Sequence, residues 1–549
     1  MKVLLVPSAV LMPREMRSIF GNLPTALFPL GRKPMLYHLY EKYKNHVDKM
    51  VVIGYERVDK IATYIEASHL PINLLKLDNL SSLGYTINFG LEEILKKYND
   101  VEYIYVNFAD CLVNDELLGI TNDFVFYAKQ EMDEQWTWFQ DRDGYISEIM
   151  DKKCERPITK NLFQKLFIGT FGIGNPNYFS ELFKKININN DVDPFYQVLQ
   201  MYSHEYKLEF KEANAWFDVG HNENYVKAQS SVAARSFNSI VIDDSRGTLR
   251  KTSSNKEKLI NEIRWYLRMP NRLQYLLPRI YDYSLEFDDP FVTMEYYGYH
   301  TLHESLLYGD FSVARWKNIF RKLLFAIEDM QSYRIANRSK EIKAAIKSMY
   351  VDKTIMRLDK IRNVSSFANF FDKNIVINGN VYLSINQIID ELPSLVEKLL
   401  LNSDNQFFSI IHGDLCFTNI LVEDNYNFMR FIDPRGKFGE FDIYGDSRYE
   451  LAKLFHTLEG HYDYIIEDMF SLTVKGNELT YKVKNNDRNV WAVFCDVFKE
   501  HLSDMISIRL IESTLFLSMI PLHADSLTRQ YAMLATGVKL FAQVRREVV

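Results

Sequence analysis

Cysteine is scarce in this chain of 549 residues, which has four of them, and no two form a CxxC pair. This distribution offers no zinc site and fits a reducing compartment. Positive charge is also in deficit, because 65 Lys and Arg face 72 Asp and Glu and give a net charge of −7. Sequence-independent binding of nucleic acid is disfavoured, since such binding needs a basic surface that displaces phosphate counterions. We interpret the cysteines as packing residues: Cys111, Cys154, Cys416 and Cys495.

Long hydrophobic runs are missing as well, because no stretch approaches the roughly 20 apolar residues that a membrane span needs. The apolar run V-L-L-V near Met1 is interrupted by Pro7 and followed by Arg14 and Arg17. This pattern predicts a buried first strand rather than a signal peptide. We therefore expect a cytoplasmic protein with no integral membrane segment, and peripheral docking on a membrane assembly stays open.

The chain is large and has an ordinary globular composition, with 47% hydrophobic and 25% charged residues. Single hydrophobic cores stop growing at roughly 250 to 300 residues, so two domains are expected. The run of small and polar residues Ala228–Ser236 interrupts the alternation of β-rich and helical segments that precedes it, and the order of predicted elements changes after it. We place the domains at residues 1–232 and 233–549.

Short β-rich runs alternate with helical patterns in the first half, which predicts an α/β domain with a doubly wound, mostly parallel sheet. Asp110 follows the last buried strand of this series. The carboxyl ends of strands bind ligands in such sheets, so Asp110 is a candidate site residue. The predicted strands and helices of this series are Val3–Val6, Met35–Tyr43, Met50–Gly54, Val58–Ser68, a helix after Leu83, and Tyr103–Asn107.

The second half begins with a strand, a turn and a strand after Phe237, then a helix around Glu257–Leu267 and a strand at Phe291–Glu295. The remainder reads as largely helical. This order predicts an α+β domain in which a small β-rich lobe precedes a large helical lobe.

The strongest motif is I-I-H-G-D-L-C-F-T-N-I-L-V at Ile410–Val422, followed by F-I-D-P-R-G at Phe431–Gly436. Phosphoryl transfer needs a carboxylate that orients the attacking hydroxyl and accepts its proton, and metal ligands that neutralise the triphosphate. Asp414 suits the first role, and Asn419 and Asp433 suit the second. The order and spacing of the three residues, with β-runs on either side, disfavour a chance match.

This loop resembles the catalytic loop of the aminoglycoside phosphotransferase and choline kinase family. The resemblance implies a bilobal, protein-kinase-like fold with ATP and Mg²⁺ as cofactors. It also implies a small hydroxyl compound as substrate, either an amino alcohol, a polyol or a sugar. Lys251 would contact the nucleotide phosphates and Glu262 would hold that lysine. The alternative for this pair is a solvated lysine and a surface glutamate.

Three segments of the first half resemble sugar-phosphate nucleotidyltransferases over about 230 residues. In that family, the aspartates matching Asp110 and Asp218 bind the Mg²⁺ that bridges the nucleotide α-phosphate and the incoming phosphate. A metal suits this chemistry because two anions must be brought into line against their repulsion. The resemblance implies a second NTP, with CTP the most plausible. The segments are L-P-T-A-L-F-P-L-G-R-K-P-M-L at Leu23–Leu36, V-N-F-A-D at Val106–Asp110, and W-F-D-V-G-H-N-E-N-Y at Trp216–Tyr225.

The first half also departs from that family. The family's glycine-rich phosphate loop is replaced by V-L-M-P-R-E-M-R, which has no glycine, and a loop with side chains cannot approach phosphates as closely. Thr25 stands where the family has a lysine after proline. Substitute positive charge could come from one of four residues: Arg14, Arg17, Arg32 or Lys33.

Together the two resemblances predict consecutive steps: phosphorylation of a hydroxyl compound, then condensation of that phosphate with an NTP. The product would be a CDP-alcohol or NDP-sugar precursor for capsule or other surface polysaccharide. One alternative is a kinase whose first domain is a non-catalytic binding or assembly module, which the missing glycine loop favours. A second alternative, two scaffolds, is disfavoured by the set Asp414, Asn419 and Asp433. Homo-oligomers and polysaccharide-assembly partners stay open.

Overall fold

The computed structural model describes residues 1–117, 122–130, 136–152, 164–186, 192–236, 240–336, 338–402, 407–484 and 489–548. Cys154 lies outside these residues. The chain divides into two compact units: Met1–Ala233 with Tyr308–Asp310, and Ala234–Leu307 with Phe311–Val549.

The segment predicted to interrupt the pattern between the domains is the end of a helix that spans Asn222–Ser236. The prediction of an interruption was wrong because the run A-Q-S-S-V-A-A-R-S contains neither glycine nor proline, and nothing in it stops a helix.

The first unit is an α/β fold. Its strands are β1 Lys2–Ser8, β2 Pro29–Leu30, β3 Lys33–Pro34, β4 Lys49–Gly54, β5 Ile72–Lys76, β6 Tyr103–Asn107, β7 Cys111–Val113, β8 Phe124–Gln130, β9 Trp138–Arg142, β10 Tyr145–Met150, β11 Gln164–Ile173, β12 Glu209–Glu212 and β13 Trp216–Asp218. Its helices are α1 Arg17–Phe20, α2 Met35–Tyr43, α3 Val58–Ala67, α4 Leu83–Lys97, α5 Pro176–Leu182, α6 Pro194–Glu205 and α7 Asn222–Ser236.

The centre of this unit is a sheet in which the strands run in the order β6-β1-β4-β5, all parallel. This confirms the predicted parallel central sheet, and antiparallel β11 extends it beyond β6. Strand β1 is buried from Val3 to Val6. Its continuous apolar run is typical of a strand covered on both faces. Strand β6 ends just before Asp110, so this residue lies at the carboxyl edge of the parallel strands.

The second unit begins with β strands and continues with helices. Its strands are β14 Ile240–Asp243, β15 Thr248–Lys251, β16 Ile280–Ser284, β17 Phe291–Glu295, β18 His300–Thr301, β19 Arg334–Ile335, β20 Ile375–Ile377, β21 Asn380–Tyr382, β22 Phe408–Ile410, β23 Ile420–Val422, β24 Met429–Phe431, β25 Tyr444–Gly445, β26 Phe470–Lys475 and β27 Glu478–Val483. Its helices are α8 Lys256–Arg268, α9 Leu302–Tyr308, α10 Val313–Gln331, α11 Ser339–Lys347, α12 Lys353–Arg362, α13 Ala368–Asp372, α14 Ile385–Val396, α15 Ser447–Leu458, α16 Tyr462–Ile466, α17 Val490–Phe498, α18 Met505–Met519 and α19 Leu527–Val548.

An antiparallel sheet in the order β14-β15-β17-β16 forms the small lobe of this unit, and α8 lies between β15 and β16 in the chain. Asn255 caps α8 by accepting a hydrogen bond from the N–H of Lys258, and the helix buries an apolar face. The hairpin β23–β24 follows the predicted H-G-D loop. A π-helical turn, Ser348–Asp352, joins α11 to α12.

Among the residues that the structure describes, Met505–His523 is long and apolar enough to cross a membrane by length and composition alone. The sequence pattern predicted no apolar stretch long enough to cross a membrane. Two thirds of an 18-residue stretch of this segment is buried, where α18 contacts α15 and α19. A helix surrounded by other helices is apolar on most sides, which accounts for its composition.

Candidate active sites

Two carboxylates meet at the carboxyl edge of the sheet in the first unit. Asp218 ends β13, which pairs with β7 so that Asp218 lies opposite Cys111. The N–H of Val219 donates to the carbonyl of Asp110 at 2.9 Å. A methyl group added at Gly220 would lie 3.0 Å from Asp218 Oδ1 and 3.5 Å from Asp110 Oδ2. The structure therefore brings the two predicted aspartates together, with the bare backbone of glycine beside them.

The negative charges of these two carboxylates are only partly compensated by neighbouring donors and cations. Asp218 is buried and accepts hydrogen bonds from Gly220 N at 2.9 Å and from His221 Nδ1 at 2.6 Å. Asn224 Nδ2 donates to the same carboxylate at 3.0 Å. Burial and the charge of Asp218 raise the pKa of Asp110 to about 6. A divalent cation would relieve this repulsion, so the pair fits Mg²⁺.

Protein side chains alone do not complete this metal site. In the described ranges, no three His, Cys, Asp or Glu side chains group into a metal-binding cluster. Mg²⁺ at sites that act on nucleotides is commonly held by one or two carboxylates together with water and substrate phosphates. The pair Asp110 and Asp218 suits that arrangement.

The loop that replaces the family's glycine-rich loop contains a short helical turn, Arg14–Met16. Arg17 Nε donates to the carbonyl of Met12 at 2.7 Å. Thr25 is buried, and its hydroxyl donates to the carbonyl of Val10 at 3.1 Å. Both side chains stabilise the loop itself, and Thr25 brings no charge in place of the family's lysine.

One cation near Asp110 was not indicated by the sequence. Lys152 follows β10 and is exposed, and its positive charge acts to lower the pKa of Asp110. Among the candidates for substitute charge, Arg14 and Arg32 are exposed, and Lys33 lies over an aromatic ring of α2. Lys152 is brought close by the fold and not by proximity in sequence.

In the second unit, three predicted residues converge at one end of the hairpin β23–β24. Asn419 precedes β23 and Asp433 follows β24, and the N–H of Ile432 donates to the carbonyl of Asn419 at 3.1 Å. Asn419 Nδ2 donates to the carbonyl of Asp414 at 2.9 Å, so its amide nitrogen is occupied within the loop. The amide oxygen of Asn419 and the carboxylate of Asp433 are hard oxygen donors that fit Mg²⁺.

A partly buried ion-pair network joins the small lobe to this hairpin. Lys251 Nζ lies 2.9 Å from both carboxylate oxygens of Glu262 and 2.6 Å from Asp433 Oδ1. Glu262 is 2% exposed. Burial lowers the pKa of Lys251, but Asp433 and Glu262 outweigh burial and leave the pKa above its ordinary value. The alternative of a solvated lysine and a surface glutamate is therefore wrong.

Helix α8 is fastened to the loop and strand end that hold these residues. Trp265 Nε1 donates to the carbonyl of Ile411 at 2.7 Å. The hydroxyl of Tyr266 accepts a hydrogen bond from the N–H of Asp433 at 3.1 Å. Gly436 has a φ of 67°, and a methyl group there would lie 2.1 Å from a carbonyl oxygen of α8. Only glycine allows this contact between helix and loop.

Glu450 of α15 holds the start of the H-G-D loop. Its carboxylate accepts the N–H of His412 at 3.0 Å and the N–H of Gly413 at 2.8 Å. His412 Nε2 donates to the carbonyl of Ile432 at 2.9 Å. Burial lowers the pKa of His412 to about 4. The imidazole is therefore neutral near pH 7, and its contacts are those of a structural residue.

Asp414 has a partner that sequence analysis missed. Lys453 Nζ lies 2.8 Å from Asp414 Oδ1, and the lysine is buried. Burial would raise the pKa of Asp414, but Lys453 outweighs it and holds the pKa well below its usual range. Lys453 follows Glu450 by three residues and shares its face of α15, which is the signal that could have identified it.

The known proteins to which this chain is similar match only part of it. No family model matches it. It is 27% identical over 103 residues to the bifunctional protein GlmU of Methanocaldococcus jannaschii, a match that covers 19% of this chain and 24% of that protein. The chain therefore spans about a quarter of the length of this curated relative.

Solved structures match a larger share of the chain. A putative glucose-1-phosphate thymidylyltransferase from Bacillus anthracis is 13% identical with a TM-score of 0.35, covering 43% of this chain and 96% of that one. A CTP:phosphocholine cytidylyltransferase from Streptococcus pneumoniae is 16% identical with a TM-score of 0.34, covering 42% of this chain and 99% of that one. The similarity concerns the N-terminal part of the chain.

Proposed function

We propose that this protein is a bifunctional transferase. Its second domain transfers the γ-phosphoryl group of ATP to a small hydroxyl compound, and its first domain couples that phosphate to an NTP with release of pyrophosphate. The single observation that carries the proposal is the set of contacts among Lys251, Glu262 and Asp433 beside Asp414 and Asn419. These are five polar groups with the roles that phosphoryl transfer requires.

Each residue of the second site has a task in this reaction. Lys251, held by Glu262, contacts the phosphates of ATP. Asn419 and Asp433 would hold Mg²⁺, which supplies neutralisation of the triphosphate charge when bound. Asp414 is ionised over the physiological pH range, so it orients the acceptor hydroxyl by accepting its hydrogen bond.

The chemical step forms a bond between the acceptor oxygen and the γ-phosphorus as the bond from that phosphorus to ADP breaks. The hydroxyl proton passes to Asp414. Because the pKa of Asp414 is held down by Lys453, the carboxylate is a weak base, and orientation contributes more than proton abstraction.

In the first site, a phosphate oxygen of the product attacks the α-phosphorus of the NTP and pyrophosphate leaves. Asp110 and Asp218 would hold Mg²⁺, which offsets the repulsion between the two phosphate groups when bound. Lys152 and His221 add positive charge around these carboxylates. CTP is the NTP that we propose, with a CDP-alcohol or NDP-sugar as product. Supply of activated precursors for surface polysaccharide, in the cytoplasm, is the proposed setting.

The second candidate function is a kinase joined to a non-catalytic binding module. It is favoured by the loop Val10–Arg17, which lacks glycine, and by Thr25, whose hydroxyl is directed into that loop. Such a domain would bind a nucleotide or sugar phosphate and release no pyrophosphate.

One experiment separates these functions. The full chain is incubated with amino alcohols, polyols and sugars in the presence of ATP, with and without CTP, UTP or GTP, and products are identified by mass spectrometry. Phosphorylated acceptor and pyrophosphate together support the bifunctional enzyme. Phosphorylated acceptor without pyrophosphate from any NTP supports the binding module, and no phosphorylated acceptor contradicts the kinase assignment.

A further inference from the structure

Cationic side chains gather around Asp414 in the second unit. Lys453 pairs with its carboxylate at 2.8 Å. Arg435 packs on the preceding residue, because its Cβ would lie 2.8 Å from a methyl group added at Gly413. Two residues of α12 extend the group. We define the basic cluster by its four members: Lys353, Arg357, Arg435 and Lys453.

Aromatic stacking places α12 beside this group. Tyr350, in the π-helical turn before α12, stacks on Tyr449 with ring centroids 6.2 Å apart. The hydroxyl of Tyr449 accepts a hydrogen bond from Arg435 Nη1 at 2.8 Å. Lys353 and Arg357 follow Tyr350 at about one and two helical turns, so they lie on the same side of the helix.

Among the residues that the structure describes, Lys453 is the member of the basic cluster that forms an ion pair, with Asp414. Lys453 has Asp414 as its partner, whereas in the described part of the chain the other three members have no carboxylate within 4.0 Å. Arg357 donates to the carbonyl of Ser518 at 3.1 Å, and Arg435 donates to a tyrosine hydroxyl. Neither of these partners carries a charge.

Such a group of like charges opposes folding unless an anion joins it. Burial lowers the pKa of Lys353 well below its ordinary value, and repulsion from Arg435 and Arg357 lowers it further. Elsewhere in the same unit, Arg448 is matched by Asp446 at 2.9 Å. Half-buried cations without a carboxylate partner, beside a candidate catalytic carboxylate, are typical of an anion-binding site.

In the proposed kinase reaction, the phosphates of ATP are assigned to other residues. Lys251 belongs to the small lobe, and Asn419 and Asp433 belong to the hairpin. The basic cluster, by contrast, draws Lys353, Arg357 and Lys453 from α12 and α15 of the helical lobe. The acceptor hydroxyl has to lie beside Asp414 in order to give it a proton, so these helices are placed to contact the acceptor.

We propose that the acceptor carries a carboxylate or phosphate group, which binds the basic cluster while its hydroxyl faces Asp414. This inference rests on the proposed kinase function and narrows its substrate class. Sugar acids, hydroxy acids and sugar or polyol phosphates fit the site. Cationic amino alcohols are repelled by it. The transfer itself is unchanged, with ADP as the leaving group, and the product carries two anionic groups.

The test uses acceptors that differ mainly in charge: a neutral polyol, the corresponding aldonate, the corresponding polyol phosphate and an amino alcohol. ADP release from the full chain is measured with each. The variants are Lys353→Met and Arg357→Gln, with Arg362→Gln as the matched control because Arg362 is exposed at the end of the same helix. Thermal unfolding and circular dichroism check that each variant is folded.

We expect the anionic acceptors to be preferred, with the aldonate and polyol-phosphate arms separating the two sources of charge. Each cluster variant should lower kcat/KM for the preferred acceptor by about tenfold to a hundredfold, as removal of a charged hydrogen bond does. The KM for ATP should change by less than about twofold. The Arg362→Gln variant should match the parent.

Asp414-dependent phosphorylation of a neutral or cationic acceptor in preference to the anionic ones would overturn this inference but leave the kinase intact. A rise in the KM for ATP alone would assign the basic cluster to the nucleotide and also overturn it. If no acceptor reacts, the kinase assignment fails. Calorimetric titration with the aldonate and polyol phosphate then decides the anion site: binding lost in both cluster variants supports it, and absent or unchanged binding overturns it.

Discussion

The two candidate sites differ in how their carboxylates are balanced. In the second domain, Asp433 contacts Lys251, and Asp414 contacts Lys453. In the first domain, Asp110 has another carboxylate as its neighbour, and burial and that charge raise its pKa to about 6. One site has its ion pairs formed within the protein, whereas in the other two carboxylates face each other and a bound cation would be needed to balance them. This difference shows that two carboxylate sites can have opposite charge balances: paired with protein cations in one domain, and facing another carboxylate in the other.

The largest effect should come from Asp414→Asn, which removes the group that we propose orients the acceptor. We expect ADP release with acceptor to fall by about 10² to 10⁴-fold. Binding of ATP, measured by calorimetry, should stay close to that of the parent. The control is Asp390→Asn, an exposed aspartate of α14. Transfer at the parental rate in Asp414→Asn would remove this residue from the reaction.

The corresponding change in the first domain tests whether that site is catalytic at all. Asp110→Asn and Asp218→Asn should each lower pyrophosphate release from the phosphorylated product and NTP by about 100-fold or more, because the metal loses a ligand. ADP release by the second domain should be unchanged. Asp100→Asn, an exposed aspartate before the opposite end of β6, is the control. Equal pyrophosphate release in all three variants would favour the binding module.

A smaller loss should follow Lys251→Met, because the proposed role of Lys251 is to contact the nucleotide and not the acceptor. We expect kcat/KM for ATP to fall by about tenfold to a hundredfold. The KM for the acceptor should stay near the parental value. Steady-state kinetics with each substrate varied in turn make this measurement. A change in the acceptor KM alone would contradict the assignment.

The opposite charge balance predicts opposite effects on stability. The folded pKa of Asp110 is raised, so its ionised form destabilises the fold above about pH 6, and this cost disappears as the pH falls below its ordinary value of 3.8. At pH 7.5 in EDTA, Asp110→Asn should stabilise the first domain by about 1–3 kcal/mol. Asp414→Asn should destabilise the second domain by about 1–3 kcal/mol, because it leaves the buried Lys453 without its charged partner, and solvent around the 36% exposed Asp414 side chain screens part of the pair.

Calorimetric unfolding with EDTA and with Mg²⁺ checks both stability effects. Mg²⁺ should stabilise the parent and narrow its difference from Asp110→Asn. Two aspartate variants that change stability in the same direction at pH 7.5 would contradict the contrast between the sites.

The smallest effect concerns Thr25, whose hydroxyl contacts the loop and not an open site. Thr25→Val should cost about 1 kcal/mol of stability through the lost hydrogen bond to Val10. Pyrophosphate release should change by less than about twofold. A larger loss of rate at unchanged stability would show that Thr25 contacts the substrate.

Much of the secondary structure could be predicted from local sequence patterns. The strands Tyr103–Asn107 and Phe291–Glu295 and the helix Met35–Tyr43 lie at the predicted bounds. Each is a short run whose periodicity or apolar content depends on its own residues. The end of α7 was missed because a polar run was taken as an interruption, although polarity does not stop a helix. The apolar segment Met505–His523 was missed because Arg509 and Glu512 divide its hydrophobic residues.

The residues of the candidate sites also fall into two groups, those that the sequence could identify and those that it could not. Asp110, Asp218 and Asp433 stood in motifs whose spacing is local, and the structure brings them to positions where metal chemistry is feasible. His221 and Asn224 lay inside a quoted motif and could have been selected with Asp218. Residues supplied by distant elements could not be selected, because their proximity is created only by tertiary packing: Lys152, Lys353 and Arg357.

The attachment of α8 bears on how the proposed kinase activity would be controlled. In protein kinases, movement of the helix that carries the glutamate partner of the phosphate-binding lysine is a means of switching activity. In this chain the helix that carries Glu262 is α8, and Trp265 and Tyr266 attach α8 to the loop and strand end around it, while Gly436 allows the backbones of helix and loop to touch. An outward swing would break all three contacts together. Under the proposed kinase function, the concentrations of ATP and acceptor would then set the rate, without a conformational switch at α8.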